Sequence, residues 1–322
     1  MKAGPWAIGR RGFLGAAGAL AAGFVGAPGS FAQSTPAGGG ARPQVALTID
    51  DPTVQPAGMP WPEINRRVLD VLRARRLQAA LFVCGMRVDE PDGRTLLQAW
   101  DDAGHQLGSH SYSHRIYLKR TDYDTFAADF LRNEAIVAPY RNRVRLFRYP
   151  ALKEGDTVEK RDRFRALLTE REYRVGHVTI DASDWYVESR LQQRRRERPS
   201  ASTEPYRDYL IAHLLDRAAF YRQLAIDAVG RDIRHTLLVH YNSLLALHLE
   251  EVLAAFERAG WQWIDAPRAY EDEVFARAPK TVPAGESLAW ALASERAGFA
   301  QRLRWPGEDG VYEERPMTER GL

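Results

Sequence analysis

Along the chain, short apolar runs alternate with stretches in which apolar residues recur at helical spacing. The runs lie at 45–50, 79–84, 106–109, 145–149, 173–180, 236–241 and 261–264, and each has strand length and strand flavour. Between them, Glu63 to Leu77 sets Ile64, Val68, Val71 and Leu72 on one helical face, and Arg94 to Ala103 stops at Gly104, a residue that ends helices readily. Thr121 is expected to cap a helix running to about Pro139, with Asp124 three residues on as in a capping box, and Ser243 to Ala259 stops at Gly260. This alternation predicts parallel β/α units, an α/β fold closed as an incomplete, distorted (β/α) barrel of about seven parallel strands. Reactive groups in such a barrel belong at the C-terminal ends of strands.

Two regions fit the alternation less well. Residues 186–235 have an Arg-rich start and a helical section from about Tyr206 to Val229, and are expected to form an insertion shaping one side of a cleft. Residues 281–322, punctuated by Pro283, Pro306 and Pro316, are expected to form a peripheral tail, which leaves 44–280 as the main domain.

The N-terminus predicts a segment that is removed. Arg10-Arg11-Gly12-Phe13-Leu14 opens an apolar Ala/Gly-rich stretch reaching about Ala27, and Ser30-Phe31-Ala32 offers the small residues of a cleavage site. Residues 1–32 therefore resemble a twin-arginine-type signal peptide, with the twin-arginine export machinery as a partner and a periplasmic or extracellular destination. The stretch is too short and too glycine-rich to serve as a stable membrane anchor. Residues 33–43, rich in Gly, Pro and Ser, read as a flexible linker.

Charge changes the picture once that segment is set aside. It holds Lys2, Arg10 and Arg11 and no acid, so taking three from the 45 Lys and Arg leaves 42 against 42 Asp and Glu. A mature chain without net charge argues against a nucleic-acid partner. The single cysteine, Cys84, cannot form an internal disulfide, and its place in an apolar run predicts a buried, inert thiol.

The chemistry gathers at strand ends. Asp50-Asp51 closes the first apolar run, and His110-Ser111-Tyr112-Ser113-His114 follows the third. Two imidazoles with a carboxylate suit zinc, cobalt or another transition metal and leave coordination positions open, with one carboxylate to spare. Arg148-Tyr149-Pro150 follows the fourth run, Asp181-Ala182-Ser183-Asp184-Trp185 the fifth, and Leu238-Val239-His240 ends the sixth.

These five segments, in this order, resemble the motifs of the polysaccharide deacetylase family, metal-dependent carbohydrate esterases. Its Thr-Phe-Asp-Asp is similar to Thr48 to Asp51, its His-Ser-x-x-His to His110 to His114, its Arg-x-Pro to Arg148 to Pro150, its Asp-x-x-Asp-Trp to Asp181 to Trp185, and its Leu-x-His to Leu238 to His240. The resemblance spans roughly residues 45–265 and implies roles. Asp51, His110 and His114 would hold a divalent metal, zinc first. Asp50 would be the general base with Arg148 beside it, and His240 the general acid with Asp184 orienting it. Trp185, Tyr149, Tyr112 and the backbone of Ala151 would meet the substrate, and Asp181 would serve structure. The chain departs from the family pattern at Pro52, where Gly is common after Asp-Asp. It departs again at Tyr149 to Leu152, where Pro-Pro-Tyr-Gly is common. Both changes remodel the cleft walls and leave every chemical group in place.

The resemblance thus implies an exported hydrolase removing N-acetyl groups from an acetylated polysaccharide such as chitin, peptidoglycan or poly-N-acetylglucosamine. The same machinery could serve O-acetyl esters or small non-sugar amides. A rival of another class is a carbohydrate-binding protein without turnover.

Overall fold

The computed structural model describes residues 41–282, 284–305 and 310–322. The expected signal peptide and the linker up to residue 40 lie outside them, as do Pro283 and Pro306. The chain runs β1 (Gln44–Asp50), α1 (Trp61–Arg75), β2 (Ala80–Val83), α2 (Pro91–Asp102), β3 (Gln106–Ser109), α3 (Tyr123–Val137), β4 (Arg143–Phe147) and β5 (Lys153–Gly155). It continues through α4 (Val158–Glu170), β6 (Arg174–Val175), α5 (Asp184–Glu197), α6 (Glu204–Val229), β7 (Arg234–His240), α7 (Ser243–Arg258), β8 (Gln262–Trp263) and α8 (Ala266–Ala269). β9 (Ala284–Gly285), α9 (Leu288–Ser294) and α10 (Val311–Glu319) follow.

The seven expected runs form one parallel sheet in the order β6-β4-β3-β2-β1-β7, with β8 also pairing β1. Helices cover its outer face, so strands such as Ala80–Val83 are buried along their whole length and read as unbroken apolar runs. The sheet curls. The run expected at 173–180 pairs β4 at its start, where Gly176 N donates to Phe147 O at 2.7 Å. It pairs β7 at its end, where Ile180 bridges Leu237. Only Arg174–Val175 holds regular strand geometry, because this run passes from one neighbour to the other. The result is a distorted barrel built around Phe82, as expected. A side-chain carbon at Gly108 or Gly176 would lie 2.8 or 2.5 Å from the Phe82 ring, so both positions need glycine for the strands to close on it.

Several expected details shift. α3 is capped by Asp122, whose Oδ1 accepts from Thr125 N at 2.8 Å, because the Thr121 hydroxyl is spent on Ile116 O. α2 starts at Pro91, where proline suits the first turn, rather than at Arg94. α4 had no apolar stripe to announce it, since Phe164 and Leu168 are its only buried apolar residues.

Region 186–235 is two helices, α5 and α6. α6 buries Tyr206, Leu210, Leu214, Ala218, Tyr221, Leu224 and Ala225 along one face. The expectation of a peripheral tail is corrected: Leu288, Ala289, Ala293 and Met317 are fully buried. β9 pairs antiparallel with β5, and Leu288 N donates to Val178 O. α10 is fixed by Glu313, which accepts from Arg217 and the Tyr209 hydroxyl on α6. The prolines misled because Pro316 is accommodated inside α10. Among the described residues, no helix is long and apolar enough to cross a membrane.

Candidate metal centre and catalytic cleft

The reactive residues stand where the strands end. Asp50 closes β1, and its carbonyl accepts from Tyr241 N just after β7. At Asp51 the chain turns into the left-handed region, φ 62°, while its N–H donates to Phe82 O. Side chains alternate along a strand, so this turn lets adjacent carboxylates serve different neighbours. His110 follows β3, its N–H donating to Val83 O at 2.9 Å. The chain then turns at Ser111, φ 62°, whose hydroxyl accepts from His114 N. Asp129 on α3 receives the amides of Tyr112 and Ser113 and fixes this loop.

One side-chain atom from each of Asp51, His110 and His114 can be chosen so that all lie within 4.8 Å of one another. His110 Nδ1 bonds Arg148 O at 2.8 Å, which requires the proton on Nδ1 and turns the Nε2 lone pair toward the cluster. Burial lowers both His110 and His114 to about 4, so they are neutral and competent as ligands near pH 7. Burial alone would raise Asp51, but the electrostatic pull of its neighbours His114, His110 and Arg87 outweighs it and keeps this carboxyl below its ordinary value. Asp51 Oδ1 is buried with no hydrogen-bond partner among the described residues. Two neutral imidazoles, one ionised carboxylate and an orphaned oxygen fit a divalent transition metal.

Asp50 Oδ2 lies 3.5 Å from His110 Nε2, and Asp50 Oδ1 belongs to a second group. Arg148 Nη1 donates to Asp50 Oδ1 and to Thr48 Oγ1, Nε to Gly176 O at 2.9 Å, and Nη2 to the Tyr270 hydroxyl at 3.0 Å. The guanidinium carbon also lies 3.8 Å from the centre of the Phe82 ring. Burial raises Asp50 to about 6 even though Arg148 pulls it down. A carboxylate of that basicity is ionised at neutral pH yet able to accept a proton.

His240 carries its own carboxylate. Its Nδ1 lies 2.8 Å from Asp184 Oδ1, while Asp184 Oδ2 accepts from His240 N and Asn242 Nδ2. One turn along α5, Glu188 accepts from the Ser243 hydroxyl, Gln192 Nε2 and Leu244 N. Two carboxylates of one helix thus grip the segment that carries His240.

Asp50, Asp51, His110, His114 and His240 line one cleft of about 450 Å³, with Trp185, Tyr149 and Ala151 in its walls. Tyr149 presents little of itself there, being 2% exposed and packed against Phe126, Phe147 and Phe164. The expectation for Tyr112 is corrected: it does not line the cleft, because its hydroxyl bonds Asp89 and its ring stacks under Arg132. Asp181 is buried beside Glu286, and burial raises its carboxyl to about 7. Sequence reasoning missed Arg87, Glu188, Asn242 and Tyr270. Glu188 could have been found as the residue one helical turn after Asp184, and Arg87 as a charge just beyond the second apolar run.

The polysaccharide deacetylase family model matches residues 37–167. No curated protein matches the chain. Among solved structures, a CE4 family pseudoenzyme from Bacillus anthracis is similar at 18% identity over 71% of this chain and 65% of its own, with a TM-score of 0.50. Peptidoglycan deacetylase PdaC from Bacillus subtilis is similar at 21% identity over 71% and 91%, with a TM-score of 0.47. A Streptococcus mutans CE4 esterase is similar at 19% identity over 70% and 86%, with a TM-score of 0.48. At these identities the likeness is one of fold.

Proposed function

We propose that this chain, which carries a polysaccharide deacetylase domain, is an exported, metal-dependent hydrolase that removes N-acetyl groups from an amino-sugar polymer. The observation that carries the reading is the pairing in one cleft: Asp50 with Arg148, and His240 with Asp184, around the Asp51, His110 and His114 cluster. A binding protein without turnover has no use for a base and an acid each supplied with its own partner.

Asp51, His110 and His114 hold the metal, zinc first by donor set and cobalt next. When bound, such an ion lowers the pKa of water toward ~7 and polarises the amide oxygen. Asp50 takes the proton of the attacking water, and Arg148 keeps the carboxylate aligned for it. His240 delivers a proton from Nε2 to the departing nitrogen, while Asp184 stabilises the cationic ring. The products are acetate and a free amine. The Ala151 amide meets the developing oxyanion, and Trp185 walls the sugar. Residues 1–32 direct export through the twin-arginine machinery, supported by the Arg10-Arg11 pair and the small residues at Ser30 to Ala32.

The test is acetate release from N-acetylated chito-oligosaccharides, peptidoglycan fragments and acetylated xylan, with and without chelator. Release from the N-acetyl substrates that chelator abolishes is the expected result. Release from xylan alone moves the reading to an O-acetyl esterase, and release from none removes it.

A further inference from the structure

α5 brings Asp184 to His240, yet little within α5 fixes where the helix begins. From Asp184 to Glu197 it buries only Val187 and Leu191 as apolar residues. Ser183 stands at its N-cap, and the Ser183 side chain makes no capping bond. The first turn is held from outside instead. Ser183 N donates to His213 Nε2 on α6 at 3.0 Å, and both residues are buried.

That bond sets the state of the histidine. Nε2 accepts, so the ring proton sits on Nδ1, and Nδ1 faces Glu313 Oε2 at 3.3 Å. α10 supplies Glu313, which Arg217 Nη2 and the Tyr209 hydroxyl hold at 2.7 and 2.6 Å. α10 and the residues after it also lie against α5. Arg190 and Arg194 donate to the carbonyls of Leu322 and Gly321, and a side-chain carbon at Gly310 would clash with the Tyr186 ring. One line of contacts thus runs from Glu313 through His213 to Ser183. The next residue is Asp184, whose oxygens meet His240 Nδ1 and His240 N, each at 2.8 Å. A buried amide without an acceptor is costly, so a first turn deprived of His213 shifts to find one, and Asp184 shifts with it.

We infer that His213 is a positioning residue for the proton donor: held in one tautomer by Glu313, it pins the Ser183 amide and so sets Asp184 against His240. The inference rests on the deacetylase reading for the role of His240, and it makes α6 and α10 part of the same site. Acetate release from the N-acetyl substrates named above is measured for the parent, H213F, H213Q and Y209F. Phenylalanine fills the ring space and offers no acceptor, whereas glutamine offers an acceptor and a donor. Y209F removes a different bond to Glu313 and leaves His213 in place. The proton between His240 Nδ1 and Asp184 Oδ1 is followed by NMR in the same proteins after chelator treatment, its resonance assigned by its absence in H240Q.

H213F lowers kcat by about tenfold with KM within about twofold, because the donor is misplaced while the sugar contacts stay. Its His240 Nδ1 proton resonance is displaced. H213Q recovers most of kcat and the parent resonance, and Y209F keeps both while losing stability in urea. H213A takes the place of H213F if phenylalanine prevents folding. An unchanged kcat in H213F, an equal loss in H213F and H213Q, or a comparable loss in Y209F overturns the inference. If the parent releases no acetate, the deacetylase reading fails and the resonance decides alone. Displacement in H213F with recovery in H213Q then upholds the positioning role, and an unmoved resonance in H213F overturns it.

Discussion

Replacing Arg148 with methionine (R148M) tests how this site carries a buried negative charge. Arg148 and Asp50 are 1% and 2% exposed, and the guanidinium is committed to Asp50, Thr48, Gly176 and Tyr270 with its face on Phe82. Methionine keeps an unbranched apolar stem and none of the donors. Removing one partner of a buried ion pair costs about 3–5 kcal/mol, mostly through the charge left behind. Adding D50N to the same chain removes that charge, and the remaining cost is the stranded Gly176 carbonyl and its neighbours, about 1–3 kcal/mol. The double variant is therefore expected to be more stable than R148M by roughly 2 kcal/mol.

The pH dependence has a definite sign. Burial raises Asp50 to about 6 from an ordinary value of 3.8, so its neutral form is favoured in the folded state. That contribution is full below 3.8 and lost as pH rises through about 6. Without Arg148 the folded value rises further, so R148M should fall short of the parent by more at pH 8 than at pH 5. Urea denaturation of chelator-treated proteins at the two pH values measures both effects. A double variant no more stable than R148M, or an equal deficit at pH 5 and 8, refutes the account.

Further outcomes follow from the structure. D50N should keep its metal and lose acetate release by about 100-fold or more, whereas H114A should fail to retain metal in elemental analysis. D184N should lower kcat by about 100-fold with little change in KM, because it disturbs the proton donor rather than the sugar contacts. E188Q should lower kcat by about tenfold at unchanged metal content, since an amide disrupts reception of the Ser243 hydroxyl and Leu244 amide. Glu313 is raised by burial, but His213, Tyr209 and Arg217 more than offset this and bring it to about 2. Its stabilisation, about 3 kcal/mol, is therefore present above 4.5 and lost as pH falls toward 2, and E313Q should lack it in denaturation at pH 7.

The barrel was legible because its strands are buried on both faces and so stand out as apolar runs between amphipathic helices such as α1. Where burial is achieved by other means, the pattern failed. α4 turns only Phe164 and Leu168 inward as apolar residues, and α10 is held by the buried carboxylate of Glu313 rather than by an apolar stripe. The strand-end motifs marked the cleft because reactive groups in parallel β/α units collect at one end of the sheet. Contacts across the fold were not legible: Tyr270 reaches Arg148 over 122 residues, and Glu188 meets Ser243 over 55. Tyr112 shows the converse, a residue inside a motif whose side chain turns away to Asp89 and Arg132.

How two adjacent carboxylates come to meet different partners is a conformational question, and the backbone answers it. Among the described residues, the non-glycine positions in the left-handed region include Asp51, Ser111, His114, Ala151 and Leu152, and all but Ser111 line the cleft. Each such position costs of order 1–3 kcal/mol, and it persists only where surrounding contacts over-determine it. At Asp51 those contacts are its N–H on Phe82 O and, just before it, Asp50 O on Tyr241 N. At Ser111 and His114 they are the Asp129 carboxylate and the Ser111 hydroxyl. The turn at Asp51 gives the pair different neighbours: Asp50 bonds Arg148 through Oδ1 with Oδ2 3.5 Å from His110, while Asp51 lies 3.6 Å from His114. Adjacent aspartates can then differ in charge, one raised to about 6 and the other held below its ordinary value. The different surroundings of two adjacent aspartates thus trace to a turn at a single residue, which no pattern of residue types records.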